Sequence, residues 1–411
     1  MSLKVCYVLP RLLPHASGTV VGGCAVNCIS VASALRAEGI EVELLTSVSR
    51  ENEKHLQKQP FSEYTTCVPE MGDGLIRKGL GAIRGLRRGL KDALRRNHFD
   101  VVHSHAGTFP YAVVPLVADG NTSVRLHSLY CPLGAKGGVF GQWWEQRAAA
   151  RILFSRLDRV VAVTDNIRQS MEEAGVPAER IEIVPMCVDT QRFRPTPRGR
   201  STGYFPAAGE SARLLFVGNA SKEKGLADLL SAVKMLVDKK VPVFLVAAIE
   251  NQSDIEEYAR GYEAIQELVR QWRLTDCVRF VGLVDAIEDL YAEADLLVVP
   301  WKTSRGPSDY PMVVLEAMAM GKCVVCTPVG GCSELLAGGD AGLLTRDFSA
   351  GSMVSTLEGV INDAQTRSRI EARAVAEAQR FSVRAAAIKM IALYEDLVRR
   401  KADSHACSPV K

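Results

Sequence analysis

Short apolar runs recur along the chain, separated by longer stretches in which apolar residues return every three or four positions. Lys4 to Leu9 (KVCYVL) is the first run. A loop rich in glycine and proline leads from it to Gly22-Gly23, and a helix-like stretch covers Cys24 to Ala37. Glu41 to Thr46 (EVELLT) is the second run, and others follow at Asp100 to His103, Ser123 to Leu126, Arg159 to Val163 and Ile181 to Val184. Continuous apolar runs of this length, alternating with helix-length segments, predict buried strands of a parallel α/β sheet. Residues 48–74 show little periodicity and read as loop.

A segment dense in proline, glycine and charge follows, and then a second series begins. Its strands are predicted at Arg213 to Gly218, Val241 to Ala247, Val278 to Gly282, Asp295 to Val299 and Cys323 to Cys326. Beyond Gly342 to Leu344 the pattern is helical to about Arg400. At 411 residues the chain is long for one core, so two α/β domains are expected. We place them at 1–190 and 212–380, with a linker at 191–211 and a helix plus tail at 381–411.

Composition narrows the class without deciding it. Hydrophobic residues are 47% and charged residues 24%, as in ordinary globular enzymes, and a net charge of +3 gives no reason to invoke nucleic acid. MSLKVCYVLP runs straight into a strand pattern with no signal-peptide features, and no apolar run approaches membrane-spanning length. The 11 cysteines sit mostly in apolar segments, which fits buried thiols in a reducing compartment. The cytoplasm is therefore expected. Cys323 and Cys326 form a CxxC, but with no second pair and no nearby histidine no metal is expected.

Four stretches carry candidate chemistry. Leu75 to Asn97 places Ile76, Leu80, Ile83, Leu86, Leu90 and Leu94 at helical spacing, with eight basic residues against the single acid Asp92. Such a face suits an anionic membrane surface or an acidic acceptor, and equally a core-packed helix with a solvated basic side. His103, His105 and His127 lie at predicted strand ends, the side on which parallel sheets bind ligands. Gly218 to Gly225 (GNASKEKG) is a strand-to-helix turn carrying Lys222 and Lys224. Trp301 to Leu336 opens on a loop and continues into a helix with Ser308 or Asp309 as its cap and Pro311 at its first position. The backbone N–H groups of Met312, Val313 and Val314 are then free for an anion, and Glu316 lies deeper in an apolar run, VVLEAMAMG, where a carboxylate needs a polar partner. A phosphate cradle backed by a hydroxyl-seeking carboxylate suggests a nucleotide-sugar site. A buried helix with a satisfied cap is the alternative.

Together these features resemble the retaining glycosyltransferases of the GT-B fold, in particular glycosyltransferase family 4, also called glycosyl transferases group 1. The family's N-terminal GG loop is similar to Gly22-Gly23, and its strand-end histidine to His127. Its G-R-x-x-x-x-K-G turn matches Gly218 to Gly225, and its E-G-x-P-x-x-x-x-E motif matches Ser308 to Glu316. The resemblance implies two Rossmann-like parallel-sheet domains facing across a cleft, the final helix returning to the first domain. It implies a nucleotide-sugar donor, UDP-linked by family habit, and a hydroxyl acceptor that is lipid-linked or a small molecule. Glu316 would hold the ribose hydroxyls, Met312 and Val313 the diphosphate, and Gly282 to Val284 the base. Lys224 would neutralise the leaving phosphate, alongside Gly218 and Asn219. His127, Ser308 and Asp309 would read the donor sugar, while Gly22 and Gly23 would serve the acceptor or phosphate loop. Attack from the front face needs neither a metal nor a cofactor, and peripheral contact with the inner membrane face would run through 75–97.

Two departures stand out. The family's arginine is Asn219, and its first glutamate is Ser308, followed by Asp309 in place of glycine. Arg305 or Lys222 would supply the missing charge and Asp309 the missing carboxylate. The same departures motivate a catalytically silent sugar-nucleotide-binding protein as the alternative. A GT-B epimerase or phosphorylase is a third reading.

Overall fold

The computed structural model describes residues 3–12, 20, 22–48, 50–69, 75–133, 143–196, 202–207, 209–249, 256–303 and 309–406. Ser308, Arg305 and the glycines of Gly137 to Gly141 lie outside them. The chain forms two compact units. Unit 1 comprises Met1–Cys187, Pro307–Asp309 and Val383–Lys411, and unit 2 comprises Val188–Gly306 and Tyr310–Ser382.

Unit 1 holds a seven-stranded sheet of β1 (Lys4–Leu9), β2 (Glu41–Val48), β3 (Thr65–Pro69), β4 (Val101–Ala106), β5 (Val124–Leu129), β6 (Arg159–Ala162) and β7 (Ile181–Ile183), in the order β3-β2-β1-β4-β5-β6-β7. Every pairing is parallel. Its helices are α1 (Gly23–Ala37), α2 (Arg50–Leu56), α3 (Leu75–Arg96), α4 (Trp143–Phe154) and α5 (Asp165–Glu173). The period of two in β1 sorts its side chains between two cores. Val5, Tyr7 and Leu9 pack with α1 and with Met390, Tyr394 and Leu397 of the last helix. Cys6 and Val8 pack with Leu86, Leu90 and Ala93 of α3. Because both faces are covered, the strand reads as one apolar run.

Unit 2 holds a six-stranded sheet of β8 (Ala212–Gly218), β9 (Val243–Ile249), β10 (Val278–Val281), β11 (Leu296–Val299), β12 (Cys323–Cys326) and β13 (Leu343–Leu344), in the order β10-β9-β8-β11-β12-β13. It carries α6 (Leu226–Asp238), α7 (Glu256–Gln271), α8 (Ile287–Glu293), α9 (Met312–Ala319), α10 (Cys332–Leu335), α11 (Ala350–Asn362) and α12 (Ala364–Ala378). The final helix, α13 (Val383–Ala406), clusters with unit 1. Strand order reverses between β1 and β4 in one unit and between β8 and β11 in the other. The crevice outside the carboxyl ends of such strands is where open α/β sheets bind ligands.

Two local expectations differ from the structure, and a third resolves between its alternatives. Residues 48–74 contain α2 and the edge strand β3, whose five residues (TTCVP) are too few to show a period. The described part of 191–211 is built into unit 2: Arg192 pairs with Glu288 at 2.8 Å, and the Thr202 hydroxyl donates to Glu293 at 2.9 Å. In α3 the apolar side packs on the sheet while Arg84, Arg88, Lys91 and Arg95 are exposed. Gly89 permits that packing, because a Cβ there would lie 2.4 Å from Val68 Cγ1. Among the described residues no helix is long and apolar enough to cross a membrane. No disulfide joins any of the ten described cysteines.

Candidate functional site

In unit 2 the site begins where β8 ends. The Asn219 side chain accepts from the Ser221 N–H at 3.1 Å, bending the chain into a single 3-10 turn at Lys222–Lys224. Gly225 then enters the left-handed region (φ 67°) before α6 starts, and a Cβ there would lie 1.8 Å from the Pro300 carbonyl oxygen. Only glycine meets both conditions. The end of β11 braces the same turn: Lys302 N–H donates to the Glu223 carbonyl at 2.9 Å, and Lys302 Nζ pairs with Asp228 at 2.7 Å. Between these braces Lys224 Nζ sits 3.1 Å from the centroid of the buried Trp301 ring. This cation–π contact places the ammonium at the switch point between β8 and β11.

Helix α9 supplies the second part. Its cap is Pro311 (φ −71°, ψ 114°), with no side-chain hydrogen bond, and the helix starts at Met312. Proline is thus the cap itself and not the first helical residue. The Met312 and Val313 N–H groups have no i−4 carbonyl within the helix, but the Val314 N–H, expected to be free, donates to the Pro311 carbonyl at 3.0 Å. Half-buried Glu316 accepts from the Tyr291 hydroxyl at 2.9 Å. Burial pushes its carboxyl above the usual range, opposed by Tyr291 and by the Arg192 charge. After β10, Gly282 and Leu283 are exposed and Val284 is half-buried, with open space beside Gly282. The backbone there is accessible, as a base-holding segment requires.

Asp309 does not act as the helix cap. It clusters with unit 1, is buried, and accepts from Thr164 Oγ1 at 2.8 Å and from Asn166 Nδ2 at 3.1 and 3.2 Å. Its backbone N–H donates to the Tyr130 carbonyl at 2.8 Å. A carboxylate so engaged is poorly placed to replace the sugar-reading glutamate. Ser308 lies outside the described residues.

In unit 1, Gly22 caps α1 with φ 103°, a conformation that favours glycine, and Gly23 begins the helix. His127, on β5, is fully buried, stacks on Phe154 and shares a 2.8 Å hydrogen bond between Nδ1 and Ser104 Oγ. Its Nε2 has no hydrogen-bond partner among the described residues. Burial lowers its pKa to about 3, so the ring is neutral and Nε2 can meet a hydroxyl as donor or acceptor, according to tautomer. Behind it runs a polar network invisible in the sequence. His103 bonds Tyr394 at 2.7 Å and Ser128 at 2.8 Å, and Tyr394 donates to Tyr7 at 2.9 Å. His105 bonds Tyr130 at 3.2 Å, and Tyr130 also accepts from Asn27 at 3.0 Å. This network gives the histidines structural partners, and no metal-binding group is found among the described residues.

Trp301, Tyr291, Arg192 and Tyr394 are the site residues that sequence reasoning missed. Only Trp301 left a signal, as a large aromatic directly after the β11 run.

Comparison with known proteins agrees with this fold. Residues 21–192 match Glycosyltransferase Family 4, and residues 211–363 match Glycosyl transferases group 1. The chain is 26% identical to a D-inositol 3-phosphate glycosyltransferase of Kineococcus radiotolerans over 94% of this chain and 93% of that one. It is 28% identical to a phosphatidyl-myo-inositol mannosyltransferase of Mycolicibacterium smegmatis over 92% and 90%. Sucrose-phosphate synthase from Thermosynechococcus elongatus superposes with a TM-score of 0.78 at 18% identity, covering 97% of this chain and all (100%) of that one. HepE from Anabaena, in complex with UDP and glucose, superposes with a TM-score of 0.71 at 20% identity, covering 96% and 99%.

Proposed function

The chain belongs to the glycosyltransferases of family 4, group 1, and on that premise we propose that it moves a sugar, with retained configuration, from a UDP-sugar to a hydroxyl acceptor. The observation carrying this reading is Lys224, held over Trp301 at the β8–β11 switch point. As the glycosidic bond breaks, negative charge grows on the diphosphate. A prepositioned ammonium and the free N–H groups of Met312 and Val313 stabilise that charge as it forms. Glu316, oriented by Tyr291, takes the ribose hydroxyls, and the backbone from Gly282 to Val284 takes the base. Within unit 1, the Gly22-Gly23 turn and the Nε2 of His127, unpartnered among the described residues, are the groups suited to a sugar or acceptor hydroxyl.

In this reading Lys224 and α9 meet the phosphate charge without a metal, so EDTA leaves turnover unchanged. The acceptors to try first are inositol phosphates and phosphatidylinositol, because relatives carry those names. The exposed basic face of α3 suits a phospholipid-borne acceptor. Vesicle sedimentation with Arg84, Arg88, Lys91 and Arg95 neutralised tests that contact.

The decisive experiment follows nucleotide release from UDP-, GDP- and ADP-sugars, with product configuration read by NMR. Turnover that Lys224→Ala abolishes supports the proposal. One observation favours the silent alternative: Asn219, standing where the family has arginine, engages Ser221 and brings no second cation. Tight nucleotide binding without turnover for any acceptor would establish that alternative.

A further inference from the structure

A second concavity lies in unit 1 at the amino ends of its strands, opposite the carboxyl ends where His127 and Gly22 stand. Its volume is about 650 Å³, within the range of small-molecule sites. Arg125, Arg156, Arg159, Arg180, Arg400 and Lys401 line it, and Asp158 is its only acidic residue among the described residues. These come from the starts of β5 and β6, the turns after α4 and before β7, and the last turns of α13.

The partners of these cations do not balance their charge. Asp158 is shared by Lys401 at 3.0 Å and Arg125 at 3.8 Å, and Arg400 pairs with Asp396, which also serves Arg399. Arg159 reaches only the Asp158 carbonyl, and Arg180 only the carbonyls of Ser155 and Leu157. The exposed Arg156 side chain has no partner among the described residues. Three guanidinium groups, of Arg156, Arg159 and Arg180, therefore share a concave surface with no carboxylate paired to any of them among the described residues. Like charges gathered there repel one another, and an anion relieves that repulsion. Five of the six cations are arginines, whose planar forks match phosphate oxygens in pairs. Arg180 also occupies the two carbonyl oxygens that would otherwise repel an anion.

We propose that this pocket binds a phosphate-bearing polyanion, with Arg156, Arg159 and Arg180 as principal ligands. The site is separate from the donor turn and does not depend on the proposed transfer reaction. The shared chemistry is phosphate, and two sources can present it: a soluble polyphosphorylated metabolite or an anionic phospholipid headgroup.

The test uses the full chain carrying Lys224→Ala, so that the donor turn does not compete for phosphate. Tripolyphosphate is titrated calorimetrically at two salt concentrations, and phosphatidylglycerol vesicles are tested by sedimentation. Arg156→Glu, at an exposed position without a partner, is the probe variant, and unchanged thermal unfolding certifies its fold. The expected result is salt-sensitive binding that Arg156→Glu weakens about tenfold or more, in keeping with lost charge-assisted hydrogen bonds. An effect on tripolyphosphate assigns a soluble ligand, and an effect confined to vesicles assigns the headgroup. Absence of binding to either probe, or binding to both that Arg156→Glu leaves unchanged, overturns the proposal.

Discussion

Lowering the pH from 7 to 5 should destabilise unit 1 and spare unit 2. His103, His105 and His127 are all buried in unit 1, and all seven histidines of the chain lie outside 188–382. Burial lowers the pKa of His105 and His127 from 6.5 to about 3, and that of His103 well below its ordinary value, with the neighbouring histidine charges adding to the effect. The folded pKa is depressed, so the unfolded chain takes up more protons between pH 6.5 and 3. Stability is then lost as pH falls through that window. At pH 5 His105 and His127 each cost about 2 kcal/mol relative to pH 7, about 4 kcal/mol together, and His103 acts in the same direction. That is a large share of the roughly 5–15 kcal/mol typical of a folded domain. With roughly 3 kcal/mol per molar in urea, the midpoint of unit 1 should fall by about 1 M or more.

Unit 2 supplies the internal control. Its half-buried Glu316 has a raised pKa, so the native state takes up the extra proton and its protonation does not weaken the unit. The assay equilibrates the protein in urea at pH 7 or pH 5, then pulse-labels at one common pH. Deuterium is read in peptides from β4–β5 and from β8–β9. A β4–β5 midpoint that stays put, or that moves together with β8–β9, would refute the assignment of acid sensitivity to the buried histidines.

Other perturbations follow from the donor turn. Trp301→Leu should reduce turnover of the sugar nucleotide about 2- to 30-fold, matching a cation–π contact of about 0.5–2 kcal/mol, with Trp301→Phe between the two. Equal rates for all three chains would show that the ring does not position Lys224. Gly225→Ala should lower the thermal midpoint of unit 2, since the left-handed backbone costs about 1–2 kcal/mol and the Cβ also meets the Pro300 carbonyl. A wild-type midpoint would contradict the close approach. Nucleotide affinity should rise as pH climbs through the elevated pKa of Glu316, because only the ionised carboxylate accepts both ribose hydroxyls. Tyr291→Phe, which removes a hydrogen bond favouring that ionised form, should move the rise to higher pH. Isothermal titration across pH reads both effects, and a pH-independent affinity would remove Glu316 from the ribose site.

Much of this protein was legible along the chain because local periodicity carries it. The apolar runs of β1 and β8, buried on both faces, declare parallel strands, and the turn from Gly218 to Gly225 marks its lysine through its resemblance to the family's turn. β3 escaped because five residues show no period. Asp309 shows a different limit. Its place in the motif suggested a sugar-reading carboxylate, yet its oxygens are taken by Thr164 and Asn166, some 145 and 143 positions earlier. Tyr394 reaches His103 across 291 positions, and the basic pocket collects side chains from Arg125 to Lys401. Hydrophobic patterning settles which face of each element is buried. Only strand order and helix packing settle which polar groups meet across those buried faces, and there an unpaired charge or hydrogen bond costs most.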